Sequence, residues 1–511
     1  MKGERVIIIG GGLGGLFTGA LLVKEGYGVT VLEKNAVVGG GLQMFRRDGV
    51  VFETGMHMLG GLRPGGSIHK ICSYLGIYDQ LKLCPSDADC MDSIIYQDPG
   101  KTYRIPEGRK PFTEYFVSEF PHEEQGIRDY VDALYRLADE IDFFYLRSSK
   151  DNPFAHSDQF LWSATELIDF YIKDERLCDV LAYMNPMYGG VAGHTPAYIH
   201  ALINVLYIDG QDRFLGGSQQ LADALVRLIE EGGGHVLSGK KVSALHVDAE
   251  RRCTSVTTAD GKDYSADYYI SAIHPQQLVG IADSGAFPKS YRTRVSSIPN
   301  TYSAFTVYIK FRGGAFPYIN HTCYYQDDYG KVWKHGEFSN DDTNWPHGFM
   351  YMTPPVENRQ EWATTMIINC LMPFSAVEKW ENTTVGHRGA EYEQWKQQQV
   401  ERVLVRMEQL YPGFRNTVDK LWSSSPLTIR DYYGQPDGAL YGVRKDCKDI
   451  LLSQLPIWTK VKNLLLTGQN VNLHGICGVP LTAVNTVEAL IGQDRLIEKI
   501  NNPYNIRYGE H

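Results

Sequence analysis

The chain has 511 residues, of which 43% are hydrophobic and 22% charged, and its formal net charge is −10 at pH 7. This size predicts two or three lobes, and an acidic chain without basic clusters is not expected to bind nucleic acid. The nine cysteines lack the two-residue spacing of zinc knuckles or redox dithiols, which favours free thiols, no metal site and a cytoplasmic protein.

The chain begins with the pattern of a strand, a glycine turn and a helix. Residues 6–9 read Val-Ile-Ile-Ile, which is typical of a strand buried in a parallel sheet. The glycine-rich residues 10–15 follow, and the pattern then predicts a helix over 16–25 and a second strand over 29–32 that ends at Glu33. This order matches the fingerprint of a dinucleotide-binding βαβ unit.

The residues of this fingerprint have separate roles. Gly10 permits the tight turn, Gly12 lets a pyrophosphate approach the backbone, and Gly15 lets the helix pack on the strand. The helix N-terminus offers unpaired amides to the phosphates. Glu33 lies 23 residues after Gly10 (33 − 10) and is placed to accept hydrogen bonds from ribose hydroxyls.

A second glycine cluster distinguishes between the two common dinucleotides. Residues 34–42 read Lys-Asn-Ala-Val-Val-Gly-Gly-Gly-Leu, and Phe-Glu-Thr-Gly follows over 52–55. This continuation resembles the extended N-terminal signature of the amine-oxidase and phytoene-desaturase group of flavoproteins, in which Glu53 stands at the position of the family's aspartate. The resemblance favours FAD over NAD.

The middle of the chain returns to a nucleotide-domain pattern between two regions of different character. A helix is predicted over 219–231, followed by strands over 236–245 and 266–272. Residues 62–210 are rich in helical patterns, whereas residues 290–455 alternate apolar and polar positions as strands do. These patterns predict an FAD-binding domain of residues 1–61, 212–288 and 456–500, a substrate-binding domain of residues 62–211 and 289–455, and a tail of residues 501–511.

The C-terminal motif is a strand, a polar glycine loop and a helix. Residues 463–466 predict the strand, Gly468 begins the turn, and the helix is predicted over 481–491. A helix N-terminus stabilises negative charge, and a reduced flavin carries such charge at its pyrimidine edge. The loop therefore suits the flavin end of the cofactor.

Residues 467–488 resemble the closing motif of the retinol saturase and carotenoid isomerase branch of phytoene-desaturase-like flavoproteins. Further matching pieces follow one another along the chain, at residues 52–57, 120–124, 216–218, 271–275 and 438–442. The resemblance covers nearly the whole chain and implies an α/β fold, in which a Rossmann-type FAD-binding domain of the glutathione-reductase and amine-oxidase type is interleaved with an α+β substrate domain. It implies FAD contacts at Gly10, Gly12, Gly15, Glu33, Lys34, Gly40, Gly41, Leu42, Val242, Gly468, Gln469, Gly478, Pro480 and Leu481.

The resemblance also implies redox chemistry on the C=C bonds of an apolar polyene of the carotenoid or retinoid kind, by saturation, desaturation or cis–trans isomerisation. Saturation and desaturation need a proton donor or acceptor near the flavin, for which His57 and His474 are the candidates. Either histidine could equally be a structural hydrogen-bonding group. Arg430 and Tyr441 fall in the segment expected to line the substrate lobe, where the arginine could instead pair with an acid.

Two other functions stay open at this point. An amine-oxidase-like flavoenzyme would take a hydride from a C–N bond, and a prenyl-lipid carrier of the GDP-dissociation-inhibitor type would bind no flavin. The intact loop after Gly468, together with Glu33, disfavours the carrier. The single dinucleotide fingerprint predicts an external electron donor or acceptor. The segments over 110–147 and 154–173 are candidates for peripheral membrane contact.

Overall fold

The structure is a computed structural model that describes residues 3–55, 58–148, 156–356 and 361–502. These residues form twenty β-strands and sixteen α-helices. The strands are β1 Arg5–Ile9, β2 Gly28–Leu32, β3 Met44–Arg47, β4 Val50–Glu53, β5 Met58–Leu59, β6 Leu83–Pro85, β7 Asp92–Tyr96, β8 Lys101–Ile105, β9 Asp212–Phe214, β10 His235–Leu237, β11 Val242–Val247, β12 Cys253–Thr258, β13 Asp263–Tyr264, β14 Tyr268–Ser271, β15 Ser303–Phe311, β16 Thr322–Gln326, β17 Gly348–Met352, β18 Thr365–Met372, β19 Val418–Ser424 and β20 Leu464–Leu466. The helices are α1 Leu13–Lys24, α2 Ser67–Leu75, α3 Arg109–Glu119, α4 Glu124–Asp139, α5 Ala164–Tyr171, α6 Glu175–Leu181, α7 Ala197–Ile208, α8 Gln219–Glu231, α9 Pro275–Ile281, α10 Lys289–Ser297, α11 Ala390–Leu410, α12 Phe414–Thr417, α13 Pro426–Tyr433, α14 Ile450–Ser453, α15 Gly475–Ile491 and α16 Arg495–Asn501.

A five-stranded parallel sheet with strand order β10-β2-β1-β14-β20 forms the centre of the first unit. Its strands are short apolar runs with both faces covered, as the uninterrupted burial of residues 6–9 requires. Helices α1 and α15 pack together on one face, with Phe17 and Val484 fully buried. A three-stranded antiparallel sheet, β11-β12-β13, is inserted between β10 and β14. The predicted Rossmann-type fold is confirmed.

A seven-stranded mixed sheet with strand order β19-β15-β18-β17-β16-β7-β8 forms the second unit. Because side chains alternate along a strand, its two faces contact different partners. On one face, Val307 and Ile368 pack with Trp395 and Met407 of α11 in one hydrophobic cluster. The other face, which includes Met350, is turned toward the helices of residues 109–208. That face forms one wall of the site described below.

The chain crosses repeatedly between the two units. The seven-stranded sheet takes β7 and β8 from the helix-rich region and β15 to β19 from the later region. A small sheet in the order β5-β9-β6 joins segments near residues 58, 84 and 213. This exchange accords with an interleaved organisation, while the exact domain boundaries stay a prediction.

Several predicted elements begin elsewhere in the structure. Helix α8 has the predicted bounds, but α1 begins at Leu13 rather than residue 16, since glycines continue into its first turn. Helix α15 begins at Gly475, six residues before the predicted start (481 − 475), and contains Pro480. The region over 290–455 also contains α11, a helix of 21 residues that the expectation of sheet did not include. The earlier starts of α1 and α15 bring the N-termini of both helices to the site described below.

The two candidate membrane segments differ in how much can be described. In α4 the apolar residues Ile127, Val131 and Leu134 are completely buried or nearly so, which means that this stripe faces the protein core. The second candidate, over 154–173, is described only from residue 156. Within the described ranges, none of the helices combines the length and the apolar character needed to cross a bilayer. Peripheral membrane contact stays a prediction.

Candidate functional site

A cavity of about 740 Å³ lies between the two units and contacts the carboxyl ends of β1 and β2. One end of the cavity is lined by Gly10, Glu33, Lys34 and Val242, and we call it the nucleotide end. Clefts at the carboxyl ends of parallel strands are the usual ligand sites of open α/β sheets. The cavity is therefore the candidate functional site.

Glu33 is fixed at the end of β2 by the backbone around it. The side chain is 5% exposed, and its Oε2 accepts a hydrogen bond of 2.8 Å from the Gly11 amide. Its Oε1 accepts a second bond of 2.8 Å from the Asn35 amide. Two amide donors hold the carboxylate in one orientation, and each oxygen keeps capacity for a further donor such as a ribose hydroxyl.

Three glycine segments converge beside Glu33 and leave a passage lined by backbone. A Cβ placed on Gly12 would lie 3.8 Å from the Gly40 Cα, and one on Gly14 would lie 2.8 Å from the Gly468 Cα. Gly468 itself has a φ of +87°, in the left-handed region that favours glycine. Backbone on both sides, with the N-terminus of α1 at one edge, fits a pyrophosphate group.

The N-terminus of α15 forms the opposite part of the lining. His474 precedes the helix, and Gly475, Ile476 and Cys477 of its first turn line the cavity. The first amides of a helix have no intrahelical acceptor and carry partial positive charge. This helix start can therefore stabilise an anionic group in the cavity, as the reduced pyrimidine ring of a flavin requires. The residues present fit FAD.

The structure places ten of the fourteen predicted FAD-contact residues on the cavity wall. Gly10, Gly12, Glu33, Lys34, Gly40, Gly41, Leu42, Val242, Gly468 and Gln469 line it. Gly15, Gly478, Pro480 and Leu481 are absent from the lining among the described residues and are buried elsewhere. A Cβ on Gly15 would lie 2.0 Å from the Gly10 carbonyl oxygen, and one on Gly478 would lie 2.6 Å from the Leu473 Cβ. The positions of these two glycines indicate packing roles.

The other end of the cavity, which we call the chamber, is bounded by α7, the seven-stranded sheet and the C-terminal loop. Its described lining consists of Met58, Met187, Ile203, Leu206, Tyr207, Met350, Asn369, Leu440, Tyr441, His474, Ile476 and Cys477. Met350 and Asn369 are cross-strand partners in β17 and β18, on the sheet face away from α11. The chamber is thus mostly apolar, with a few neutral polar groups.

Two polar atoms of the chamber have no hydrogen-bond partner among the described residues. They are Oδ1 of Asn369, a residue 8% exposed, and Nε2 of His474, a residue 7% exposed. Burial, with the nearby Lys445 charge as a smaller cause, lowers the pKa of His474 to about 3. The rings of His474 and Tyr441 lie 5.2 Å apart, and burial raises the pKa of Tyr441. Both side chains are therefore uncharged at neutral pH.

The charged residues of the described lining lie at the nucleotide end. The Lys34 ammonium donates to the Asp431 carbonyl at 2.8 Å, and the Arg430 guanidinium pairs with the Asp431 carboxylate at 2.9 Å. Arg430, expected in the substrate lobe, is thus held by an acid at the other end of the cavity. The second predicted proton-transfer residue, His57, lies outside the described residues. No metal-binding group of three His, Cys, Asp or Glu occurs within the described ranges.

Some residues of the site had no signal in the sequence. Asn369 and Met350 were expected in strands, but alternation alone does not tell which face of a strand meets the cavity. Met187 and Ile203 come from helical segments far away in the chain. Tyr441 lies in a motif that the family resemblance had already marked. The pairing of β17 with β18 places Met350 and Asn369 side by side on one face of the sheet.

Comparison with known proteins gives three kinds of match. The sequence profile of the family described as flavin containing amine oxidoreductase matches residues 13–491. All-trans-retinol 13,14-reductase of Rattus norvegicus is 25% identical over 507 residues, covering 92% of this chain and 83% of that protein. The chloroplastic prolycopene isomerase of Arabidopsis thaliana is 22% identical over 466 residues, covering 85% of this chain and 73% of that protein. A solved structure of putrescine oxidase, the wild type bound to putrescine, matches with a TM-score of 0.64 at 15% identity, covering 96% of this chain and 99% of that one.

Proposed function

We propose that this chain, which belongs to the family of flavin-containing amine oxidoreductases and is an FAD-dependent oxidoreductase, acts on the C=C bonds of an apolar polyene. The observation that carries this proposal is the lining of the chamber, which is apolar or uncharged throughout its described part. The retinol reductase and the prolycopene isomerase support it as relatives that span most of the chain.

The residues of the nucleotide end would hold FAD in an extended conformation. The Gly12–Gly40 passage would admit the pyrophosphate, and the Glu33 carboxylate would accept from the ribose hydroxyls. The amides at the start of α15 would stabilise negative charge on the ring system. When bound, FAD supplies the exchange of a hydride with a substrate carbon.

The chamber would orient the polyene and exclude water. Met187, Ile203 and Leu206 form one apolar wall, and Met350 lies on the facing sheet. Unbranched methionine side chains adapt to a long, partly rigid hydrocarbon. Addition of hydrogen across a double bond also needs a proton, and the Tyr441 hydroxyl holds one because burial raises its pKa. His474, with a pKa near 3, would act as a neutral hydrogen-bonding group rather than as a cationic acid.

The alternative is an amine substrate, since a putrescine oxidase is among the similar structures. That likeness, at 15% identity, concerns the fold alone. An ammonium group buried in the chamber without a carboxylate beside it would be left without a counter-ion. Among the described residues the acidic lining residues are Glu33 and Asp431, both of which are engaged at the nucleotide end. The chamber therefore favours an uncharged substrate.

Anaerobic flavin spectroscopy tests the proposed function. The FAD-loaded protein is reduced with dithionite, freed of excess reductant, and mixed with all-trans-retinol or lycopene isomers, while the oxidised protein receives the same polyenes and putrescine. Reoxidation of the flavin, reduction of the flavin, or a changed cis–trans composition with any polyene is the expected result. Reduction by putrescine with no response to any polyene would overturn the proposal in favour of an amine oxidase.

A further inference from the structure

Resting on the proposed function, we propose that the polyene carries a terminal hydroxyl group, which Asn369 binds inside the chamber with His474 as a second hydrogen-bonding group. The chamber holds these two polar side chains, each more than nine-tenths buried, and each has an atom without a partner among the described residues. A pure hydrocarbon gives such groups nothing to bind.

Asn369 has a polar amide side chain in a strand whose other residues are mostly apolar. Strand β18 reads Thr-Met-Ile-Ile-Asn-Cys-Leu-Met, and all eight residues are buried. Its neighbours across the sheet are Met350 on β17 and Thr306 on β15. An amide whose oxygen is buried without a partner destabilises a protein, because the hydrogen bond to water is lost and not replaced. A carboxamide aimed into an apolar chamber at this cost indicates a ligand that forms the missing bond.

Because Asn369 and His474 are both neutral, they determine which polar group of a substrate the chamber can bind. Asn369 is neutral, and His474 is neutral because burial lowers its pKa to about 3. A substrate carboxylate would enter the chamber without a cation among the described lining residues, and an ammonium would enter without an anion. A hydroxyl both donates and accepts, so it can bond an amide and an imidazole in either of their orientations.

Binding of three matched polyenes to the FAD-loaded, oxidised protein tests this inference. The probes are all-trans-retinol, the hydrocarbon in which a methyl group replaces its CH2OH group, and all-trans-retinoic acid. Dissociation constants come from perturbation of the flavin spectrum under anaerobic conditions. We expect the alcohol to bind about tenfold or more tightly than either of the others, because a site built around a hydrogen bond rejects analogues that lack it.

The substitution Asn369→Leu replaces the amide by an apolar group of similar shape. We expect it to weaken binding of the alcohol about tenfold, to leave or improve binding of the hydrocarbon, and to leave the affinity for FAD unchanged. Thr306→Val is the matched control, since it removes a hydroxyl from the neighbouring strand at a residue outside the described cavity lining. The control should keep the preference for the alcohol.

The outcomes separate the two proposals. Equal binding of the alcohol and the hydrocarbon, or tighter binding of the acid, would overturn the hydroxyl inference and leave the polyene function standing. A tenfold loss of FAD affinity in Asn369→Leu would also overturn it, because the amide would then serve the cofactor. Failure of all three polyenes to bind or react would overturn the proposed function as well.

Discussion

The nucleotide end of the cavity is lined mainly by backbone, whereas the chamber is lined by side chains. At the nucleotide end Gly12 approaches Gly40 and Gly14 approaches Gly468, and the Glu33 carboxylate is held by two backbone amides. In the chamber the walls depend on packing from α7, the seven-stranded sheet and the C-terminal loop. The core of the first end, from Gly10 to Glu33, is one continuous βαβ segment, whereas the chamber is assembled from segments far apart in the chain.

The two ends also differ in the groups that support them. Behind the chamber, His200 and Lys445 are buried titratable residues that bond to tyrosine hydroxyls and to backbone carbonyls, respectively. At the nucleotide end the passage itself is formed by close glycine contacts, which do not titrate, while the charged residues beside it are bonded to backbone groups or to each other. The residues behind the chamber are therefore expected to make stability depend on pH, and the glycine passage is expected to be sensitive to added atoms.

The largest expected effect concerns His200, which fixes the chamber helix α7. Its Nε2 lies 2.7 Å from the Tyr130 hydroxyl and its Nδ1 2.9 Å from the Tyr188 hydroxyl. Burial lowers its pKa from 6.5 to about 3. A folded-state pKa below the unfolded one means that the unfolded chain binds more protons below pH 6.5, so the stability that the neutral histidine allows is lost as the pH falls. The loss approaches about 5 kcal/mol near pH 3 and is about 2 kcal/mol at pH 5.

The substitution His200→Gln isolates this contribution, because glutamine bonds to hydroxyls but does not titrate. We expect the variant to be less stable at pH 7, yet its free energy of unfolding should fall by about 2 kcal/mol less than that of the wild type between pH 7 and pH 5. Urea unfolding at the two pH values measures the difference. An equal fall in the free energy of unfolding of the wild type and the variant would show that His200 does not titrate on unfolding.

The second effect concerns Lys445, which lies behind His474. Its ammonium is buried, donates to the carbonyls of Ser453 and Val471, and has no ion pair within the described ranges. Burial lowers its pKa from 10.5 to about 8. The unfolded chain therefore binds more protons between these values, and the free energy of unfolding should rise by about 3 kcal/mol from pH 7 to pH 10.5 on account of this group.

Two variants distinguish the charge of Lys445 from its packing. Lys445→Met removes the titrating group, and Lys445→Arg keeps a charge that does not titrate in this range. Both should lack the rise of about 3 kcal/mol that the wild type shows, measured as the difference in unfolding free energy between each variant and the wild type at several pH values. A rise of equal size in all three proteins would exclude Lys445 as its source.

The same contrast explains what the sequence could predict. Gly10, Gly12 and Glu33 form a local motif whose spacing alone places them at one strand end, and the structure has them there. Asn369 and Met350 meet only because β17 and β18 pair in one register, and no local pattern specifies that register. The early start of α15 was missed because a helix was predicted only after Pro480, whereas in the structure this proline is the sixth residue of the helix, a position that proline normally disfavours. His200 and Lys445 likewise acquire their altered pKa values from burial that the sequence does not reveal.

The smallest of these effects concerns the nucleotide end, through the substitution Gly12→Ala. The backbone of Gly12 has a φ of −76°, which alanine adopts readily, and the added methyl would lie 3.8 Å from the Gly40 Cα. The fold without cofactor should therefore keep its melting temperature, whereas the methyl should occupy the path of the pyrophosphate. We expect FAD affinity to fall about a hundredfold, or about 2.8 kcal/mol, with the same ratio at pH 6 and pH 8.

Gly285→Ala is the matched control, because Gly285 is exposed and a Cβ there meets nothing within 4 Å. Its FAD affinity and its melting temperature should equal those of the wild type. Gly14→Ala would be a poor substitute for Gly12→Ala, since its methyl would lie 2.8 Å from the Gly468 Cα and would disturb the fold itself. If Gly12→Ala bound FAD as tightly as the control does, the passage between Gly12 and Gly40 could not be the pyrophosphate site.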